Sequence, residues 1–179
     1  MAESKTESIC LGWREWLELP DLGLACIKAK VDTGARTSTL HAFYVEPFER
    51  DALLHVRFGV HPLQHRDDLV VHCEAPVIDR RQVSDSGGHR EERYVIETHV
   101  RVGGRSWPIE VTLTNRESML FRMLLGRTAI AGRALVDPGG SFLAGRVARP
   151  WERYPDGGVS QDARDAGESG VLADSASRG

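Results

Sequence analysis

Val31-Asp32-Thr33-Gly34-Ala35 places an aspartate at the end of an apolar run, two residues before a glycine. A carboxylate there can accept hydrogen bonds from backbone N–H groups of the turn that follows, and it can exchange a proton with a reacting group nearby. Gly34 lets the chain pass close behind the carboxylate without a Cβ. Asp-x-Gly after a strand is also an ordinary surface turn, so the triplet gains chemical meaning only from the elements around it. A second segment of interest, Met123-Leu124-Leu125-Gly126-Arg127, is an apolar pair followed by glycine and lies 126 minus 32, or 94, residues further on.

The elements that would position these residues read as strands. Apolar residues come in short continuous or alternating runs broken by Gly, Pro and Asp clusters. Leu22 to Val31, Leu53 to Phe58 and Leu69 to Cys73 fit this description, with Pro62 interrupting the chain between the last two. From Tyr94 to Thr114, two alternating patterns flank Gly103-Gly104, a strong hairpin signal. Asp137-Pro138-Gly139-Gly140 marks another turn between Ala134-Leu135-Val136 and Ser141-Phe142-Leu143, with a positive φ expected at the glycine after proline. Two segments could be helical: Thr128 to Arg133 suits one or two turns, while Glu15-Trp16-Leu17 is too short to assign. The fold class is therefore all-β, with one short helix near the C-terminal end of the core.

Length and composition bound the partners. A chain of 179 residues carries one domain with tails, expected over residues 9–154, between a disordered start at 1–8 and a disordered tail at 155–179. With 41% hydrophobic residues, 27% charged residues and a net charge of -3, nothing electrostatic argues for nucleic acid or an anionic membrane. A peptide, protein or small molecule is the expected partner. No apolar run is long enough to span a bilayer and the first eight residues are polar, so the chain is read as cytoplasmic. Cys10, Cys26 and Cys73 are an odd set without Cys-x-x-Cys spacing, which suggests neither a disulfide framework nor a thiolate metal site.

The order of motifs resembles a known family. Lys30 to Ala42 (KVDTGARTSTLHA), Thr112 to Met119 (TLTNRESM), Leu124-Leu125-Gly126-Arg127 and Leu135-Val136-Asp137-Pro138 are similar to the bacterial and archaeal retropepsin-like aspartic peptidases, whose members often carry the label "ATP-dependent zinc protease". The resemblance spans about Gly12 to Gly145 and implies a retropepsin-like acid-protease barrel. It assigns catalysis to Asp32, Thr33 and Gly34, and structural support of that turn to Leu124, Leu125 and Gly126. His41 matches a position in the motif and is read as a neighbour of the site or a structural hydrogen-bonding residue.

Aspartic-protease chemistry needs two carboxylates close together, so that repulsion keeps one protonated. This chain offers one Asp-Thr-Gly, since Asp137-Pro138-Gly139 replaces the Thr with Pro and reads as a hairpin turn. The resemblance therefore implies a homodimer with an Asp32/Asp32′ dyad across a two-fold axis and Thr33 hydroxyls tying the two turns. One Asp32 would act as base on a shared water while its partner donates to the scissile carbonyl. A flap over the cleft is expected in Val83 to Arg90, with Gly87 and Gly88 at its tip. Ala35, Arg36 and Arg127 flank the motifs and are further substrate-binding candidates, the two arginines suiting acidic or glutamylated tails.

The zinc and ATP of the older label find little support among the residues. No Gly-x-x-x-x-Gly-Lys-Ser/Thr loop and no His-Glu-x-x-His is present. His61 and His65 are four apart and His72-Cys73 follow, but Pro62 deprives that spacing of helical meaning. No metal ligand and no cofactor is assigned. The alternatives to an endopeptidase are a catalytically silent β-barrel that binds peptide or protein in the same cleft, and a zinc-dependent peptidase.

Overall fold

Alternation of buried and exposed side chains builds most of the strands in the computed structural model, which describes residues 7–155. The order is β1 (Ile9–Leu11), β2 (Arg14–Leu19), β3 (Leu24–Asp32), β4 (Ser38–His41), β5 (Tyr44–Arg50), β6 (Leu53–Val60), β7 (Val71–Pro76), β8 (Asp79–Ser84), β9 (Arg90–Val102), β10 (Arg105–Thr114), β11 (Met123–Gly126), helix α1 (Arg127–Ile130) and β12 (Ala134–Val136). Among the described residues the fold is all-β apart from α1 and two short 3-10 turns. Of the segments expected to be disordered, residues 1–6 and 156–179 lie outside the described residues.

β10, β4, β11, β3, β2 and β9 follow one another by backbone pairing, and β9 pairs back onto β10, so the ring closes. Leu17, Leu24, Ile27, Leu40, Ile96, Val111, Met123 and Leu125 fill it. β5, β6 and β7 form a separate antiparallel sheet that packs on the same core through Val56, Phe58, Val60 and Ala75. Pro47 is tolerated in β5 because that strand is an edge. The Gly103-Gly104 hairpin is as expected, with both glycines at positive φ (58° and 74°), the turn whose twist matches the flanking strands.

Several local expectations need correction. Glu15-Trp16-Leu17, too short to assign from sequence, is strand: Glu15, Leu17 and Leu19 point inward and alternate with half-buried neighbours. α1 stops at Ile130, short of Arg133, because Ala131 leaves helical dihedrals (φ -56°, ψ 125°) and Gly132 takes φ 75°. β7 begins at Val71 rather than Leu69, which is buried beneath Tyr154 in a smaller cluster. The Asp137 turn is not a hairpin, because β12 pairs in parallel with β1 and Ser141-Phe142-Leu143 forms no strand. Nor does Gly139 adopt a positive φ there. Its N–H instead donates to Asp137 Oδ1 at 2.9 Å.

Candidate active site

Asp32 ends β3, and three segments fix the turn that follows. β11 lies parallel to β3 with Leu125 opposite Val31 and Gly126 opposite Asp32. A Cβ on Gly126 would stand 2.5 Å from the Thr37 carbonyl carbon, so only glycine allows β11 to come this close. Gly126 N–H donates to the buried Ser38 hydroxyl (3.0 Å), Arg127 N–H to Ala35 O (2.7 Å) and Thr128 N–H to Arg36 O (3.0 Å). The apolar pair followed by glycine thus pins residues 35–38 from the far side of the turn.

The turn then holds its own carboxylate. Gly34 N–H and Ala35 N–H donate to Asp32 Oδ1 at 3.1 and 3.2 Å. Oδ2 has no hydrogen-bond partner among the described residues, which leaves one oxygen for water or substrate. Thr33 is exposed, and Arg127 Nη1 donates to its carbonyl at 3.4 Å.

Asp32 lines a cleft of about 620 Å³ between the barrel and the β8–β9 ribbon. Ala35, Arg36 and Leu124 line it too, so the structure brings two of the expected substrate contacts to the carboxylate. Arg127, Gly87 and Gly88 are not among the lining residues. The stretch Val83 to Arg90 is the tip of an antiparallel ribbon made by β8 and β9, and Asp85 organises it. Its Oδ1 accepts from Gly87 N–H and His89 N–H, both at 2.9 Å, and Gly88 takes φ 83°. The His89 and Gly87 N–H bonds hold the Asp85 carboxyl below its ordinary range. Val83, Ser84, Asp85 and Ser86 face the cleft, while the two glycines are exposed at the tip.

Sequence reasoning missed three further arginines of the cleft: Arg81, Arg93 and Arg116. Arg81 is held by Glu110 (2.7 and 3.2 Å) and Asp79 (2.8 Å), and it keeps the Glu110 carboxyl below its usual range. Arg93 is nearly buried against Glu91 at 2.9 Å. Arg116 stands 3.7 Å from Asp85, and Arg36 makes no ion pair with a described residue. β8 (DRRQVS) has too little apolar alternation to read as a strand, so nothing local announced that its side chains would meet Asp32. Thr39 and Thr112, joined through their hydroxyls at 3.0 Å, complete the floor.

His61, His72 and Cys73 are separately engaged. His61 stacks on Phe43 with centroids 4.4 Å apart, His72 Nδ1 contacts Tyr44 Oη at 2.7 Å, and Cys73 donates to Leu22 O. Among the described residues no group of three or more His, Cys, Asp or Glu is arranged to hold a metal ion. His41 is buried and accepts the Arg116 N–H at Nδ1 (3.2 Å), a structural bond that positions the start of the Arg116 loop.

A closed β-barrel with an Asp-Thr-Gly turn braced by a parallel Leu-Leu-Gly strand is the retropepsin-like acid-protease fold class. The chain belongs to the RimB-like family, described as "Retropepsin-like aspartic endopeptidase RimB", which matches residues 10–147. It is also similar to a "Probable alpha-L-glutamate ligase" of Parasynechococcus marenigrum, 52% identical over 140 residues that cover 78% of this chain and 30% of that protein. A protein of the same description from Desulfotalea psychrophila is 42% identical, with 91% of this chain and 35% of that one covered. The chain thus spans about a third of the length of these relatives. A crystal structure of a Legionella pneumophila protein of unknown function superposes with TM-score 0.66 at 28% identity, covering 77% of this chain and 99% of that one. No helix among the described residues is long and apolar enough to cross a membrane.

Proposed function

We propose that residues 9–154 form an aspartic endopeptidase, active as a homodimer and free of cofactors, that cleaves acidic or glutamylated polypeptide tails in the cytoplasm. The observation that carries this reading is the Asp32 carboxylate, held through one oxygen by two N–H groups in a cleft that four arginines line. In the dimer two such carboxylates share a proton. The ionised one draws a proton from water, which attacks the scissile carbonyl while the protonated one donates to its oxygen; the proton then passes to the departing amine. The exposed Thr33 side chains join the two turns. The arginines face the substrate's own carboxylates, Arg36 with its charge uncommitted and Arg81 and Arg93 already paired.

The relatives' name supports the substrate class. An enzyme that ligates glutamate makes carboxylate-rich chains, and in those relatives the region matched here shares one polypeptide with about twice its length of other sequence. Asp32→Asn tests the chemistry: the variant is expected to keep its fold and lose cleavage of an oligoglutamate peptide that the parent cleaves. Undiminished cleavage by Asp32→Asn overturns the mechanism, and equal cleavage of a neutral peptide overturns the substrate class. The single Asp-Thr-Gly turn per chain favours a second reading, a peptide-binding barrel, for a protein that stays monomeric at working concentration.

A further inference from the structure

β3 links the cleft to a second groove. Asp32 ends the strand at the cleft, while Ala25 and Cys26, near its start, line a depression of about 270 Å³. From Cys26 to Asp32 is 32 minus 26, or six, residues of extended chain, a span of about 20 Å. The groove's walls are Trp16, the Gly103-Gly104 turn and three arginines, Arg101, Arg146 and Arg153.

Its charge is one-sided. Glu18 is the one carboxylate among its lining residues, and Arg101 takes it at 3.2 Å. Arg146 and Arg153 make no ion pair with a described residue. The cationic surface continues over Phe142, whose ring lies 5.5 Å from the Arg146 guanidinium, 4.9 Å from that of Arg14 and 5.9 Å from the Lys28 ammonium. Burial, with Arg14 beside it, depresses the Lys28 ammonium, as expected where cations crowd without a counterion. Glu15, which follows Arg14 in β2, is fully buried and engaged by the N–H groups of Gly12, Leu143 and Ala144.

The loop carrying these groups is built at a cost. Phe142 holds φ 55°, a left-handed conformation unfavourable for a bulky side chain. Its N–H donates to Arg14 O and the next two N–H groups go to Glu15, so both flanks lock it. The result is an aromatic ring ringed by three cations at the rim of an arginine-lined groove.

We infer that this groove is an exosite for a carboxylate-rich polypeptide, holding a stretch of the chain about 20 Å from the Asp32 carboxylate. The inference rests on the proposed preference for acidic tails and adds a second hold on the same chain. A single-stranded nucleic acid fits less well, because base stacking needs an open aromatic face. The Phe142 ring is covered by Trp16, stacked at 6.1 Å and 21°, and by its three cations. An extended acidic chain of about ten residues reaches both sites, and two linked contacts bind more tightly than either alone.

Binding to Asp32→Asn protein of a fluorescent oligoglutamate of about 16 residues, followed by anisotropy, isolates the exosite from catalysis. Adding Arg146→Ala and Arg153→Ala is expected to weaken binding at least about tenfold, and Arg146→Lys with Arg153→Lys to retain most of it. Arg50→Ala with Arg57→Ala removes the same charge from the β5–β6 sheet and is expected to weaken binding less than twofold. Equal loss in the two alanine pairs reduces the effect to bulk attraction and overturns the exosite, as does unchanged binding in the groove pair. Tighter binding of a uridine oligonucleotide than of oligoglutamate overturns it in favour of RNA. Cleavage by the parent protein is scored separately, so an absence of cleavage counts against the endopeptidase and leaves the groove result standing.

Discussion

Gly126 and Asp32 are Cα partners in the parallel pairing of β11 with β3, and the backbone of Thr37 and Ser38 occupies the space where a Gly126 side chain would be. The carboxylate's position therefore depends on a residue with no side chain. Gly126→Ala must push backbone from 2.5 Å to ordinary contact, which is expected to cost ~2 kcal/mol or more and to displace the turn. The measurement is the urea midpoint together with peptide cleavage; a variant with parental stability shows that the strand yields.

Glu15 is a buried acid that makes no ion pair with a described residue. Its oxygens accept from Gly12 at 2.7 Å, Leu143 at 2.8 Å and Ala144 at 3.3 Å, tying β2 to the loop after β12. Glu15→Ala strands those donors and is expected to lower stability by about 3 kcal/mol, with Glu15→Gln intermediate. Equal unfolding midpoints for the three proteins would show the loop is held by other means.

His41 gives stability a pH dependence. Burial first, then Arg122 and His61, depress its imidazole below 6.5, with a backbone hydrogen bond to Thr114 and then Glu117 acting the other way. The unfolded chain binds the proton that the folded protein resists, so the His41 contribution is complete above about pH 6.5 and is lost as pH falls through the lower folded value. Urea midpoints are expected to drop between about pH 7.5 and pH 5 in the parent, and to drop less in His41→Gln. Parallel curves remove the assignment.

The three cysteines are free and differ in access. Cys10 is exposed on β1, while burial pushes the Cys26 thiol up to about 11 and the Cys73 thiol up to about 12. A thiol reagent at neutral pH is expected to modify one cysteine quickly and the other two only on unfolding. Fast reaction of two or three thiols in the native protein contradicts the packing of β3 and β7.

What was legible in the sequence was what local pattern encodes. Asp32-Thr33-Gly34 at a strand end, the Gly103-Gly104 hairpin and the glycine of Leu124-Leu125-Gly126 each announce a backbone event within a few residues. The cleft's arginines do not. Arg81 lies on a strand with little apolar alternation and Arg93 within a charged run, and they reach the Asp32 cleft because β9 continues past the barrel and carries β8 back over it, while Arg116 comes from the loop after β10. Glu15 was hidden for the opposite reason, since a carboxylate at an inward strand position contradicts its residue type until its N–H donors are seen. The Asp137 turn was misread because a parallel partner, β1, lies more than a hundred residues away in sequence.

β9 belongs to two structures at once. From Val95 to Val102 it pairs with β10 inside the barrel, and from Arg90 to Val95 it pairs with β8 outside it. The ribbon is therefore a cantilever clamped at Val95, which is fully buried, and its free length is tied to the barrel by Arg81 to Glu110, Glu91 to Thr114 and Arg116 to Asp85. Each of those ties is polar. Raising ionic strength, which screens such ties, is therefore expected to loosen the arm over Asp32 before it disturbs the pairing of β9 with β10 in the barrel.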